Sequence, residues 1–240
     1  MELNFEYISR NAEKIRQEVE QAAIKYGRDP KEITILSAIK YADSEEIDFL
    51  TSSTYIKTVG ENRVQQLLER YDLLSKNETD IHFIGSLQTN KVKYIVDKVD
   101  LIHSLDSERL ASEIDKQCAK IGKVMNVLCE INCGREENKS GIMPEDAEAF
   151  CLELAKFNHL KLCGFMTMAP ATSNFDEYRK YFSETAKLAL DIWHKKLHNI
   201  ERPVFSMGMS GSFYDAILEG ANLVRVGTAI YGQRDYTNKL

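Results

Sequence analysis

A lysine closes an apolar run: Ile33-Thr34-Ile35-Leu36-Ser37-Ala38-Ile39 leads straight into Lys40. Ile33, Ile35, Leu36, Ala38 and Ile39 read as a short strand buried on both faces, as in parallel sheets. Burial disfavours an ammonium, so an amine held against apolar surroundings has a lowered pKa and a free lone pair. Such an amine forms a Schiff base with a carbonyl. The plain alternative is a lysine that snorkels out at a strand end.

Two later stretches add an anion site. Ser206-Met207-Gly208-Met209-Ser210-Gly211-Ser212 runs from a strand-like segment into a helical one. The backbone N–H groups of Ser210 and Gly211 at the helix opening have no intrahelical partner and suit an anion. In Leu223-Val224-Arg225-Val226-Gly227-Thr228, Gly227 lets an oxyanion approach the backbone and Thr228 adds a hydroxyl. Equally, Gly208 and Gly211 make only a tight turn, and Ser210 or Ser212 only a helix cap. Arg225 shares a strand face with Gly227, which points it toward the same mouth. Set between Val224 and Val226, it needs a partner, and a salt bridge to Glu61 is the structural alternative. One amine, one guanidinium and one phosphate cradle fit an aldehyde-bearing phosphate, and pyridoxal 5′-phosphate is such a molecule.

Position requires elements. Strands are predicted over 33–39, 57–60, 80–85, 100–105, 123–132, 160–167, 203–207 and 223–227. Helices are predicted over 5–26, 44–51, 62–74, 89–97, 107–121, 144–156, 174–196 and 212–219, with Thr89, Ser107 and Pro144 as openings. Every strand but the last is followed by a helix. That pattern, in 240 residues, predicts one (β/α)8 barrel spanning 1–240, a fold of about 250 residues. The N-terminal helix takes the place of the missing eighth one. An open doubly wound sheet is the competing layout. In a barrel the functional groups gather where strands end, and the loops after strands 7 and 8 often hold a phosphate.

The bulk numbers exclude several classes. With 31 basic and 37 acidic residues and a net charge of -6, there is no nucleic-acid footprint. No apolar run reaches membrane-spanning length, and the N-terminus lacks a signal-peptide design. Five dispersed cysteines suggest free thiols in a reducing compartment, hence the cytoplasm. Cys129 and Cys133 fall in a predicted strand and make no metal clip, so no metal is expected. His194 and His198 lack the glutamate of a zinc-protease helix, with Lys195 in that place, and read as a surface pair. His82 and His103 read as satisfied core or rim histidines, and Trp193 as a helix-to-barrel contact.

The chain resembles the pyridoxal phosphate homeostasis protein family (YggS/PROSC type), which is related to the barrel domain of alanine racemase. The resemblance rests on Ile35–Lys40, Gly60-Glu61-Asn62-Arg63-Val64-Gln65, the stretch 82–91, Asn138-Lys139-Ser140-Gly141, Gly164–Pro170, Ser206–Ser210 and Val224–Gly232, in order along nearly the whole chain. It implies an alanine-racemase-like barrel that holds pyridoxal 5′-phosphate. It makes Lys40 the Schiff-base lysine and sets Asn62 near the cofactor ring. Arg225 would face the pyridine nitrogen. Ser210, Gly227 and Thr228 would contact the phosphate, and Met207, Gly208 and Met209 would line the site. Lys139 is either a second, transient cofactor contact or a solvated loop lysine. Tyr41 and Gly211-Ser212 depart from the family, which usually has a smaller residue and acidic residues there.

An arginine at the ring nitrogen cannot supply a proton, because its pKa exceeds about 12, and so it weakens carbanion chemistry. With the sequence ending soon after strand 8, the second domain that completes alanine racemase is not expected here. The expectation is a monomeric homeostasis protein that limits or delivers the aldehyde, with apo enzymes as possible recipients. The alternatives are a racemase or other small pyridoxal-phosphate enzyme, and a metabolite-sensing partner protein whose cofactor only stabilises the fold.

Overall fold

The computed structural model describes residues 5–170, 174–195 and 202–233. Eight parallel strands close a barrel in sequence order: β1 (Thr34–Ala38), β2 (Thr58–Glu61), β3 (Asp80–Phe83), β4 (Leu101–Leu105), β5 (Met125–Ile131), β6 (Leu160–Thr167), β7 (Val204–Met209) and β8 (Leu223–Val226). β8 returns to β1 with Leu36 opposite Arg225, so the barrel, not the open sheet, is formed. Among the described residues, seven α-helices longer than one turn pack around it: α1 (Glu6–Lys25), α2 (Ser44–Ser53), α3 (Val64–Lys76), α4 (Glu108–Ile121), α5 (Ala147–Leu154), α6 (Phe175–His194) and α7 (Phe213–Leu218).

Strand alternation splits the apolar side chains into two layers. Leu36, Ile84 and Leu223 pack in one small cluster and Leu101, Leu128 and Met166 in another, within the barrel. A far larger cluster fills the shell between barrel and helices, with Val59, Phe83, Ile102, Val127, Phe165 and Val224 from the strands. α1 turns Ile8, Ala12, Ile15, Val19 and Ala22 inward at helical spacing and packs against α2 and α7. Asn11 Nδ2 fixes it further by donating to the Ile230 carbonyl at 2.9 Å. α1 therefore covers the seam where β8 meets β1, as its sequence suggests. Ser107 caps α4 by accepting from the Leu110 N–H at 3.3 Å.

Three elements differ from the predicted ones. The helix expected over 89–97 is a 3-10 stretch, Thr89–Tyr94. There Val92, Ile95 and Val96 all turn inward, and the backbone closes i→i+3 bonds such as Ile95 N–H to the Val92 carbonyl. The segment from 144 divides into a 3-10 turn, Pro144–Asp146, and α5. β8 does have a helix after it, the single turn α8 (Thr228–Tyr231), too short for periodicity to reveal. Of the histidine pair on the sixth helix, His194 ends α6, while His198 lies outside the described residues. No helix among the described residues is long and apolar enough to cross a membrane.

Candidate functional site

The C-terminal ends of β8, β1 and β2 are neighbours, and they bring Arg225, Lys40 and Asn62 to one mouth of the barrel. Lys40 follows β1 directly. Its side chain is exposed, with Nζ 4.9 Å from the centre of the Tyr41 ring. The apolar enclosure expected from the preceding strand is absent: Ile39 buries into the shell, while Lys40 clears the barrel rim. Tyr41 supplies the aromatic surface beside the amine.

The backbone on both sides of Lys40 is clamped from α3. Arg70 donates to the Ile39 carbonyl at 3.1 Å and to the Ala42 carbonyl at 2.8 Å. The same guanidinium pairs with Glu61 Oε2 at 2.6 Å, and Glu61 is fully buried at the end of β2. Burial raises the Glu61 pKa, against the lowering effect of the N–H and guanidinium groups that bond it. Glu61 Oε1 accepts from the Asn62 N–H at 2.7 Å and the Arg63 N–H at 3.3 Å. One ion pair thus orients both Lys40 and Asn62. The salt bridge considered between Arg225 and Glu61 does not exist, because Arg70 occupies Glu61.

Asn62 is half-buried, and its Oδ1 is enclosed without a hydrogen-bond donor. An orphaned acceptor of this kind costs about 1–3 kcal/mol unless a ligand or water meets it. Gly85 lies against the same turn. A Cβ there would stand 2.1 Å from the Asn62 carbonyl oxygen, so only glycine lets β3 leave beneath Asn62.

Arg225 is 5% exposed. Its Nη1 donates to the Ser206 carbonyl at 2.7 Å and to Ser206 Oγ at 2.5 Å, and Nη2 donates to the Thr167 carbonyl at 3.0 Å. These bonds use three of the five N–H groups of a guanidinium, leaving the Nε donor and one on Nη2. Desolvation lowers the pKa to about 10, which still leaves the group charged at neutral pH, with Glu130 across the barrel opposing the shift.

Sequence reasoning missed Glu130 and Asp106. They stand on the paired strands β5 and β4, one within and one just past the strand end. Burial and the Asp106 charge push Glu130 up to about 7 from an ordinary 4.5, while Arg225 pulls it down. A charged residue within the apolar strand Met125-Asn-Val-Leu-Cys-Glu-Ile was the available signal. The sign of the linkage follows. The folded protein holds this proton more tightly than the unfolded chain, so the stabilisation is full below pH 4.5 and is lost as pH rises through about 7. At most about 3 kcal/mol is involved, at about 1.4 kcal/mol for each pH unit. Glu130→Gln, fixed in the neutral form, should therefore be the more stable protein at pH 8. Urea denaturation across pH checks this; equal stabilities at pH 8 would remove Glu130 from the set of strained charges.

The turn read as an anion cradle lies between the ends of β7 and β8. Ser210 Oγ accepts from the Gly227 N–H at 3.2 Å and the Ala229 N–H at 3.3 Å, standing as an oxygen acceptor where an anion's oxygen would. The N–H groups of Ser210, Gly211 and Thr228 meet no acceptor among the described residues. Ser212, not Ser210, precedes α7, and its Oγ accepts from the Met209 N–H at 3.2 Å. A Cβ on Gly227 would stand 3.1 Å from the Ala38 carbonyl oxygen, a tight contact with the neighbouring strand. Thr228 is exposed at the rim. Met207 is fully buried in the shell, since Ser206 takes the inward position before it, so its side chain points away from the mouth. Met209 is 42% exposed at the end of β7. Lys139 is exposed in the loop after β5. Two hollows of about 550 and 520 Å³ lie elsewhere, one at the N-terminal mouth and one beside α6. Neither collects the strand-end residues.

The residues present fit a phosphorylated aromatic aldehyde: an amine, an undonated amide oxygen, a guanidinium with spare donors, and a turn rich in free N–H groups. The comparisons with known proteins agree. Residues 6–235 match the family described as alanine racemase, N-terminal domain. The chain is 40% identical over 232 residues to a pyridoxal phosphate homeostasis protein of Aquifex aeolicus, covering 96% of this chain and 98% of that one. It is 32% identical over 235 residues to the protein of that name from Escherichia coli, covering 97% and 99%. Among solved structures, PipY of Synechococcus elongatus with PLP bound superposes with a TM-score of 0.77 at 25% identity, covering 90% of this chain and 100% of that one. An alanine racemase of Corynebacterium glutamicum, 14% identical, shares the fold with a TM-score of 0.72, covering 98% of this chain and 63% of that one. This chain belongs to the family of pyridoxal phosphate homeostasis proteins, built on the alanine racemase N-terminal barrel.

Proposed function

We propose that this protein binds pyridoxal 5′-phosphate in the service of its homeostasis, holding the aldehyde through Lys40 and releasing it to apo enzymes without turning over substrates of its own. One observation carries this reading: a loop amine and a half-buried amide on adjacent strand ends, oriented by a single buried ion pair, beside a turn of free N–H groups. The bound cofactor supplies an electrophilic aldehyde and an electron-accepting ring. Lys40 would hold the aldehyde through Nζ. Arg225 would present N–H donors to the ring nitrogen while keeping its own proton, which would leave the ring a poor electron sink. The turn at Ser210, Gly211, Gly227 and Thr228 would carry the phosphate. Exposure of Lys40 at the rim suits a carrier, since a competing amine can reach the carbon that Lys40 holds. Cytoplasmic residence and a monomeric state belong to the same proposal.

The second reading, an amino-acid racemase or other small pyridoxal-phosphate enzyme, is favoured by Glu130, which titrates near neutrality opposite Arg225. The loaded protein incubated with an apo aminotransferase separates the two. The carrier reading expects the acceptor's activity to recover, with amino-acid turnover by the protein alone at the level of free cofactor. Turnover well above that level, with no recovery, would assign the enzyme instead.

A further inference from the structure

A line of hydrogen bonds crosses the barrel interior from one mouth to the other. Asp80 Oδ2 lies 2.9 Å from His82 Nε2, and His82 Nδ1 lies 2.9 Å from His103 Nε2. His103 Nδ1 lies 3.0 Å from Ser206 Oγ, which receives Arg225 Nη1 at 2.5 Å. The five residues stand on β3, β4, β7 and β8. Asp80 is exposed at the N-terminal mouth, its side chain 48% accessible. His82, His103, Ser206 and Arg225 are all buried.

The donor and acceptor rules leave one direction for this line. An arginine only donates and a carboxylate only accepts. Ser206 Oγ receives the arginine and has one proton of its own to give. His103 is fully buried between His82 and Arg225 and stays neutral, with one bare nitrogen and one N–H. With Nδ1 bare, Ser206 donates to His103, His103 Nε2–H donates to His82 Nδ1, and His82 Nε2–H donates to Asp80. Every donor then meets one acceptor. A cation at one end and an anion at the other polarise each bond in the same sense. In the opposite tautomer His103 and Arg225 both donate to Ser206 Oγ, whose own proton then has no acceptor in the line, and a neutral His82 turns a bare nitrogen toward the Asp80 carboxylate.

We propose that Asp80, His82, His103 and Ser206 are positioning residues for Arg225, forming a one-way hydrogen-bond chain that runs from the N-terminal mouth and holds the guanidinium that faces the cofactor ring. The functional half of this proposal rests on the reading of Arg225 given above. Other titratable groups around His82 are Asp80 on its own strand, His103 on β4, Asp100 just before β4, and Lys161, Glu32 and Arg202 around the recess at that mouth. Cys163 shares that recess. Arg225 faces Glu130 and His103, and Asp106 lies next to Glu130.

Nitrogen-15 NMR of the cofactor-free protein reads the histidine tautomers directly. His103 is expected with Nδ1 bare and Nε2 protonated at pH 8. His82→Leu, which removes both donor and acceptor, should leave His103 in a mixture of tautomers and weaken pyridoxal 5′-phosphate binding about tenfold, the equivalent of one lost hydrogen bond. His82→Gln, which keeps one donor and one acceptor, should restore most of that affinity. Asp80→Asn, at the exposed end, repeats the tautomer measurement in a variant with an intact interior. His103 protonated on Nδ1 in the unaltered protein at pH 8 overturns the chain. The expected tautomers together with unchanged affinity in His82→Leu overturn its link to the cofactor. Wild-type protein that gains no pyridoxal phosphate absorbance at all overturns the underlying reading of Arg225.

Discussion

Exchanging Arg70 for methionine should cost about 3–5 kcal/mol of stability, because it leaves a buried carboxylate without its cation. Glu61 is fully buried, and Arg70 Nη1 lies 2.6 Å from it. The lost guanidinium also releases the Ile39 and Ala42 carbonyls on either side of Lys40. The loop that carries the amine then gains freedom, and capture of the cofactor slows and weakens with it. Urea denaturation measures the first effect and cofactor titration the second. The double variant Glu61→Gln/Arg70→Met distinguishes them. Removing both charges should recover much of the stability, while the grip on the Lys40 loop stays lost. A single Arg70→Met protein within about 1 kcal/mol of the parent would mean that Glu61 is neutral in the fold and that this pair holds nothing.

Lys40→Ala should abolish the visible absorbance of the bound cofactor and lower its affinity roughly a hundredfold, about 2.7 kcal/mol. Residual binding should persist, since the N–H groups around Ser210 and Thr228 and the spare donors of Arg225 are untouched by the change. Lys40→Arg should behave like the alanine variant despite its retained charge, because a guanidinium is no nucleophile at neutral pH. Absorbance titration and equilibrium dialysis together separate the covalent part from the phosphate part. An unaltered spectrum in either variant would move the amine to another lysine, with Lys139 the first to examine.

The eight strands were legible because parallel strands covered on both faces are short apolar runs, and their predicted limits fall close to those observed. Lys40, Asn62 and Arg225 were legible as strand-end residues for the same reason. What the sequence concealed was pairing across the barrel. Arg225 bonds Ser206 and Thr167, which lie 19 and 58 positions away, on β7 and β6. Nothing in its own strand signals them, so Glu61 seemed as good a partner. Glu61 instead takes Arg70, nine residues on, where α3 folds back over the rim. The same distance hid Glu130, whose surroundings come from the ends of β4 and β8. Gly227 shows a similar limit: the Ala38 carbonyl of β1, 3.1 Å from where a Cβ would stand, cannot be read from its own strand. The one-turn helix α8 escaped because four residues carry no period. The amine's setting was misjudged because an apolar strand says nothing about the residue that follows it into solvent.

Borohydride reduction of the pyridoxal 5′-phosphate-loaded protein, followed by peptide mass mapping, asks the decisive question of these residues. A pyridoxyl group on the peptide that contains Lys40, and absent from that of Lys139, is the expected outcome. A pyridoxyl group on any other lysine, with Lys40 unmodified, would contradict the assignment of this mouth of the barrel as the seat of the cofactor.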